Sequence, residues 1–114
     1  MIACYSIYDN APTLRESLES VLPYVKKIVA VDGAYENFPH KQPYSTDGTK
    51  EIFSKVCGNK VNWVWVGCNK AWPTQILKKN EFLKHVPLGE WWIQIDGDEI
   101  IKGKVQESFD FVES

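Results

Sequence analysis

Residues 28–33 of the chain read IVAVDG. The apolar residues of this stretch follow one another without a polar residue between them, and an aspartate and a glycine end the run. An uninterrupted, β-branched run is typical of a strand covered on both faces, as in a parallel sheet with helices on either side. The stretch therefore predicts an α/β domain in which this strand ends on a carboxylate.

Other short apolar runs lie before and after this stretch. They are residues 2–8 (IACYSIY), 61–66 (VNWVWV) and 91–95 (WWIQI). Between them the apolar residues recur at helical spacing, in residues 13–22, 52–56 and 76–84, and again near the end in residues 105–112. The alternation of strands and helices predicts right-handed crossovers and a mainly parallel sheet with flanking helices. The periodicity of the strands predicts that their tryptophans lie mostly in the core, namely Trp63, Trp65, Trp91 and Trp92.

The composition is that of one globular domain. The chain has 114 residues, of which 44% are hydrophobic, so one core is expected over residues 1–114. The formal net charge is -2, and no block of like charges occurs. These values argue against nucleic-acid binding driven by net charge.

The cysteines and the N-terminus indicate where the protein resides. Cys4, Cys57 and Cys68 are odd in number and lack the C-x-x-C spacing, so buried thiols are expected rather than disulfides or a zinc site. No apolar run reaches the roughly 18 residues of a transmembrane helix, and the N-terminus lacks the basic region of a signal peptide. A cytoplasmic protein is expected.

Polar residues and glycines concentrate where the predicted strands end. The stretches concerned are residues 6–10, 32–33, 67–69 and 96–99. In parallel α/β sheets, ligands bind at the carboxyl ends of the strands. The pattern indicates a binding site at this edge, although a polar turn after each strand would give the same pattern.

Asp96-Gly97-Asp98 is the most distinctive of these stretches. Two carboxylates at positions i and i+2 of extended backbone project to the same side, and the glycine lets a ligand approach. Mg²⁺ is commonly held by one or two carboxylates together with water and phosphate oxygens. A plain turn at Asp96-Gly97 between two strands is the alternative. A calcium-binding EF-hand loop is excluded, because Ile101 stands where that loop needs glycine.

Several motifs in a fixed order resemble a known family. They are SIYDN (6–10), IVAVDG (28–33), STDGTKEI (45–52), KKNEFLK (78–84) and GEWWIQIDGDE (89–99). The chain resembles the N-terminal, nucleotide-sugar-binding half of the family-2 glycosyltransferases, which have the GT-A fold. The resemblance implies a Rossmann-like α/β sheet and an enzyme that transfers a sugar from a nucleoside diphosphate sugar to a hydroxyl acceptor, with inversion at the anomeric carbon.

The resemblance also implies roles for individual residues. Asp98 is expected to bind Mg²⁺ or Mn²⁺ directly, with Asp96 near the metal or the ribose. Ser6, Tyr8 and Asp32 are expected to form the nucleotide pocket, with Asp32 at the base or ribose. Lys79 stands where the family often has a basic residue before an asparagine, so it either meets the diphosphate or is an exposed helix lysine.

Two features depart from the family pattern. Residues 34–44 are inserted between the second strand and STDGT, where the family usually runs straight on. The chain also ends soon after Asp98, so the domain is expected to be truncated there. No motif assigns a catalytic base, and neither Asp110 nor Glu113 stands in one.

These departures leave other functions open. The alternatives are a non-catalytic module that binds a nucleotide or nucleotide sugar, and a fold fragment that acts as an interaction surface. The short chain is expected to transfer sugar poorly by itself. An apolar flank at Trp91, Trp92 and Phe109 is expected to be exposed, or covered in a homo-oligomer or by a partner chain that completes the fold.

Overall fold

Strands and helices alternate along the chain in the computed structural model of the protein, which describes residues 1–100. They are β1 (Ile2–Ile7), α1 (Ala11–Val21), β2 (Lys27–Asp32), α2 (Thr49–Cys57), β3 (Asn62–Val66), α3 (Gln75–Leu83) and β4 (Trp92–Asp96). The strands pair in parallel in the order β3-β2-β1-β4. The predicted parallel sheet with flanking helices is confirmed, whereas the helix expected over residues 105–112 lies outside the described residues.

The side chains of β1 alternate between two apolar layers, as the pleat of a strand requires. Ala3, Tyr5 and Ile7 pack in one layer with α1 and α2, while Ile2 and Cys4 pack in the other with Phe82 of α3. The central strands are therefore covered on both faces. In β2, the residues from Ile28 to Val31 have no exposed surface, as the uninterrupted apolar run predicts.

The strand tryptophans are less buried than their periodicity predicts. Trp63 on β3 is 37% exposed, and Trp91, just before β4, is 55% exposed. Trp65 and Trp92 are partly buried, with ring centroids 5.4 Å from Phe53 and 6.4 Å from Phe82 respectively. The prediction that most of these tryptophans lie in the core is wrong, because β3 and β4 are the outer strands of the described sheet and are only partly covered.

Local signals set the ends of the helices. Pro12 stands in the first turn of α1, and a short 3₁₀ turn, Leu22–Tyr24, follows the helix and contains Pro23. The hydroxyl of Thr74 accepts the Leu77 amide at 3.1 Å and caps α3. Within residues 1–100, no helix is long and apolar enough to cross a membrane.

The cysteines follow the expectation in two of three cases. Cys4 and Cys57 are buried, and burial raises their thiol pKa values to about 12 and about 11. Cys68 is only partly buried, and its Sγ lies 3.3 Å from the Pro43 carbonyl oxygen. It follows β3 in a loop at the sheet edge, where no second layer covers it fully.

The buried hydroxyls of Tyr5 and Ser17 form a hydrogen bond of 2.9 Å between β1 and α1. We expect Tyr5→Phe to lower the free energy of unfolding by about 1–3 kcal/mol, because the Ser17 hydroxyl loses its partner inside the core. The measurement is urea unfolding of the single variants and of Tyr5→Phe/Ser17→Ala. The double variant should lose less than the sum of the single losses. Strictly additive losses would mean that this bond does not stabilise the fold.

Candidate functional site

The order of the strands marks one place in the sheet as a crevice. The chain runs outward from β1 through β2 to β3 and then returns past β1 to form β4. The direction of winding therefore reverses between β1 and β4, and α/β proteins bind ligands at the carboxyl ends of strands at such a point. Ser6 and Asp96 are register partners there.

Two cavities adjoin at this point, and Ser6, Tyr35 and Gln75 line both of them. The first, here called the acidic cavity, has a volume of about 330 Å³ and is lined also by Asp96 and Asp98. The second, here called the aromatic cavity, has a volume of about 340 Å³ and is lined also by Tyr8, Phe38, Pro39 and Lys78. The two cavities therefore lie side by side at the strand ends.

A larger open depression lies elsewhere, between Lys26 and Trp63. It measures about 570 Å³ and is lined by lysines, asparagines and backbone near the amino ends of β2 and β3. It holds none of the predicted site residues, so the two cavities at the opposite edge are the candidate site.

The Asp96–Glu99 segment is a turn whose aspartates face the acidic cavity. The Glu99 amide donates to the Asp96 carbonyl at 2.9 Å, and the Asp96 amide donates to the Glu99 carboxylate at 2.8 Å. Partial burial raises the pKa of the Asp96 carboxyl, and the nearby Glu99 and Asp98 carboxylates raise it further. The segment forms the turn that the alternative requires and carries both aspartates into one cavity, whereas the second strand of that alternative lies outside the described residues.

Gly97 is required by close packing at this turn. A Cβ atom there would lie 2.5 Å from the side chain of Asn10. The Gly97 amide donates to the Ser6 carbonyl at 3.2 Å, and its carbonyl accepts the Thr13 hydroxyl at 2.9 Å. These bonds fix the turn against β1 and the start of α1.

The donor set fits a hard divalent cation only in part. Among residues 1–100, no group of three or more His, Cys, Asp and Glu side chains is placed to hold a metal ion. Asp96 and Asp98 supply two carboxylates in one cavity, and Mg²⁺ is typically bound by so few protein ligands when phosphate oxygens and water complete its shell. The residues present therefore fit a metal that arrives with a diphosphate.

Tyr8 lies at the end of β1 beside the aromatic cavity. Its hydroxyl donates to the Gln42 carbonyl at 2.8 Å, and its amide donates to Asn10 Oδ1 at 2.8 Å. Slight burial and the nearby carboxylates of Asp9 and Asp32 raise its pKa. The ring is thus fixed in position at the cavity wall.

Asp32 ends the adjacent strand, as predicted, but its carboxylate lies in neither cavity. It is 3% exposed, and its two oxygens accept the Ser45 amide at 2.8 Å and the Ser45 hydroxyl at 2.5 Å. Burial raises its pKa, and the bonds from Ser45 oppose that rise. Within the described part of the chain, Asp32 and Asp96 therefore line no common cavity, because Ser45 binds the Asp32 carboxylate.

The two neighbouring lysines of α3 are placed differently. Lys79 is exposed, and its Nζ lies 5.5 Å from the ring centroid of Trp92, near the beginning of β4. Lys78 lines the aromatic cavity and is 2% exposed. Its Nζ donates to the Ile7 carbonyl at 3.0 Å and to the Gly33 carbonyl at 2.7 Å. The structure therefore brings Lys78, not Lys79, to the site.

Sequence reasoning missed Lys78 and the structural part of the STDGT motif. Successive backbone amides after β1 donate to side chains of that motif: Asp9 to Ser45 Oγ at 2.8 Å, Asn10 to Thr49 Oγ1 at 3.0 Å and Ala11 to Asp47 Oδ2 at 3.1 Å. The motif satisfies unpaired amides at the start of α1. Serine, threonine and aspartate are typical helix-capping residues, but no local pattern shows that the helix capped here is α1.

Titration of Lys78 gives a testable dependence of stability on pH. Burial lowers its pKa from 10.5 to about 8. Between these values the unfolded chain binds more protons than the folded protein, so the contribution of Lys78 to the free energy of unfolding rises with pH. We expect the stability of the wild type relative to Lys78→Met to increase from about pH 8 to about pH 10. The measurement is urea unfolding of both proteins across this range.

Taking the difference between wild type and variant removes the titration of Cys4, Cys57 and Tyr5, which both proteins share. Lys79→Met is the matched control, because Lys79 is the exposed neighbour on the same helix. A stability difference between wild type and Lys78→Met that does not change with pH would contradict the burial of a charged Lys78.

Comparisons with known proteins agree with this architecture. No family model matches the sequence, and no curated protein matches it. Among solved structures, the crystal structure of S. aureus TarS 1-349 superposes with a TM-score of 0.76 at 22% sequence identity. The match covers 98% of this chain and 32% of that chain, so this chain spans about a third of its length. TarS is a family-2 glycosyltransferase of the GT-A fold. The protein thus has the Rossmann-like α/β fold of the GT-A glycosyltransferases.

Proposed function

We propose that the protein binds a nucleoside diphosphate sugar together with Mg²⁺ or Mn²⁺ and serves in glycosyl transfer. One observation carries the proposal: Asp96 and Asp98 face one cavity that joins an aromatic cavity through Ser6, where the strand order reverses. The structural similarity to TarS supports a glycosyltransferase-like fold. The nucleoside diphosphate sugar as donor and a hydroxyl as acceptor are proposed here.

In this proposal the acidic cavity holds the diphosphate. Asp98 and Asp96 would bind the metal, which when bound offsets the negative charge that develops on the leaving diphosphate. The turn at Asp96–Glu99 sets the separation of the two carboxylates. Burial raises the pKa of Asp96, and the Glu99 and Asp98 carboxylates raise it further, so a cation is the partner that would offset the repulsion in this cavity.

The aromatic cavity then holds the nucleoside. Ser6 lines both cavities, and in this proposal its hydroxyl would hydrogen-bond the ribose or the first phosphate. Tyr8 offers a fixed ring to the same cavity. A nucleotide role for Asp32 and a diphosphate role for Lys79 stay predictions, and both require these side chains to leave the partners described above.

Binding without transfer is the second candidate. Among the described residues, Glu99 is the carboxylate beside the two aspartates of the turn, and its Oε1 accepts the Asp96 amide. A general base needs a free oxygen within reach of the acceptor hydroxyl. The bond from Asp96 engages Oε1 alone and leaves Oε2 open, so among the described residues Glu99 is the carboxylate that would act as the base if transfer occurs.

The expected homo-oligomer or completing partner chain stays a prediction. Leu88 and Trp91 are exposed beside β4, and Ile76 and Leu83 are exposed on α3. Apolar residues of this kind fit an interface. Phe109, which was expected to share this flank, lies outside the described residues.

We expect Asp98→Ala to abolish metal-dependent nucleotide binding, because it removes a proposed ligand of the metal. The fold should be retained, because the Asp98 side chain is exposed at a turn. The measurement is calorimetric titration with nucleoside diphosphates, with and without Mn²⁺. Glu16→Ala is the matched control, since it removes one exposed carboxylate from α1, away from both cavities. Unchanged metal dependence in Asp98→Ala would refute the assignment. Transfer to an added acceptor would distinguish an enzyme from a binding module.

The two aspartates should also destabilise the metal-free protein by repulsion. We expect Asp96→Asn/Asp98→Asn to raise the free energy of unfolding by roughly 0.2–0.5 kcal/mol, a small effect because solvent screens exposed charges. The measurement is thermal unfolding in the presence of a chelator. A clear fall in melting temperature would show instead that the carboxylates stabilise the turn.

A further inference from the structure

The loop of residues 34–44 folds back on itself at the ends of β1 and β2. The Ala34 amide donates to the Pro43 carbonyl at 2.9 Å, which closes the loop at its base. Tyr35 and Trp72 form an isolated parallel bridge. In it, the Trp72 amide donates to the Ala34 carbonyl at 2.7 Å, and the Glu36 amide donates to the Trp72 carbonyl at 3.0 Å. The start of the loop is therefore paired with the segment that follows β3.

Side chains around the site fix both arms of this loop. At the second arm, the Tyr8 hydroxyl donates to the Gln42 carbonyl, and Asp32 accepts the amide of Ser45, the residue that follows the loop. The buried Lys78 ammonium holds the Gly33 carbonyl, and its Nζ lies 5.2 Å from the ring centroid of Tyr35. An ammonium at this distance from a ring attracts its π electrons, so it helps to hold Tyr35 at the cavity wall.

The tip of the loop carries Phe38 in a defined position. The Phe38 amide donates to the Tyr35 carbonyl at 3.1 Å, and His40 Nδ1 hydrogen-bonds the Phe38 carbonyl oxygen at 2.7 Å. The Phe38 and Tyr35 rings meet edge to face, with centroids 6.3 Å apart. Phe38 is nevertheless 63% exposed, although it lines the aromatic cavity.

The fixed position and the exposure of Phe38 do not serve the packing of the core. Phe38 belongs to neither apolar layer, so the turn and the hydrogen bonds around it hold a large ring at the mouth of a cavity and not against protein. Water-exposed aromatic surface is unfavourable until a partner covers it. A planar apolar ligand in the cavity would cover the ring.

We propose that the inserted loop forms the base-recognition wall of the site, with Phe38 and Tyr35 stacking on the nucleobase. The inference rests on the proposed function: if the diphosphate occupies the acidic cavity, the nucleoside attached to it reaches the aromatic cavity, and the base meets these rings. Stacking needs only a π face, so the wall serves any base.

The test compares ligands with and without a base. Wild type and Phe38→Ala are titrated calorimetrically with UDP, GDP, ADP and CDP in the presence of Mn²⁺, and with pyrophosphate and Mn²⁺. We expect Phe38→Ala to weaken nucleotide binding about tenfold and to leave pyrophosphate binding unchanged, because only the nucleotides bring a base. Phe38→Trp should preserve the affinity for nucleotides.

Ile76→Ala is the matched control. Ile76 is an apolar side chain, 70% exposed on α3 and outside both cavities, so its variant should bind every ligand as the wild type does. Circular dichroism and urea unfolding of Phe38→Ala should match those of the wild type, since the ring adds nothing to the core.

The outcomes separate this inference from the proposed function. If the wild type and Phe38→Ala bind nucleotides equally well in the presence of Mn²⁺, the proposed stacking on Phe38 is wrong and the proposed function stands. An equal loss of pyrophosphate binding in Phe38→Ala would also overturn the stacking, since the loop would then act on the diphosphate. Wild type that binds none of the nucleotides would overturn both.

Discussion

The carbonyls at the carboxyl end of β1 need hydrogen-bond donors in a part of the sheet that is covered on both faces. Ser6 finds its donor in the Gly97 amide, and Ile7 finds two, in the Gly33 amide and the Lys78 ammonium. These donors come from the turn after β4, the end of β2 and α3. Satisfying one buried strand end therefore brings together the segments that line both cavities, and the site arises from the same bonds that complete the sheet.

Lys78 shows how far this constraint reaches. A buried ammonium is unfavourable unless it is hydrogen-bonded, and among residues 1–100 its bonds go to carbonyl oxygens rather than to a carboxylate. One ammonium group thus binds the ends of two strands. The Asp32 and Asp96 carboxylates, at the ends of β2 and β4, act on it at longer range and favour its charged form. This buried cation lies at the wall of the aromatic cavity.

The sequence predicts those parts of the fold that local patterns determine. The apolar runs and the proline and glycine signals predict the strands and helices, and the polar strand ends predict the edge that carries the site. Strand order is not written in any local pattern, so the exposure of Trp63 and Trp91 on the outer strands could not be foreseen. Neighbouring helix residues point in directions that differ by about a quarter turn or more. A shift of one position along α3 is therefore enough to place Lys78, and not the predicted Lys79, at the candidate site. The partner of Asp32 depends on the path of an aperiodic loop.

That loop explains why the resemblance and the structure differ at Asp32. The family pattern places this aspartate at the base or ribose, with the STDGT segment following directly. Here residues 34–44 intervene, and the first residue after them, Ser45, binds both oxygens of the carboxylate that closes β2. Bonds at both ends anchor the loop, and its Phe38 and Tyr35 rings line the aromatic cavity. The Asp32 carboxylate, which lines neither cavity, thus acts on the candidate site through the loop that it helps to hold.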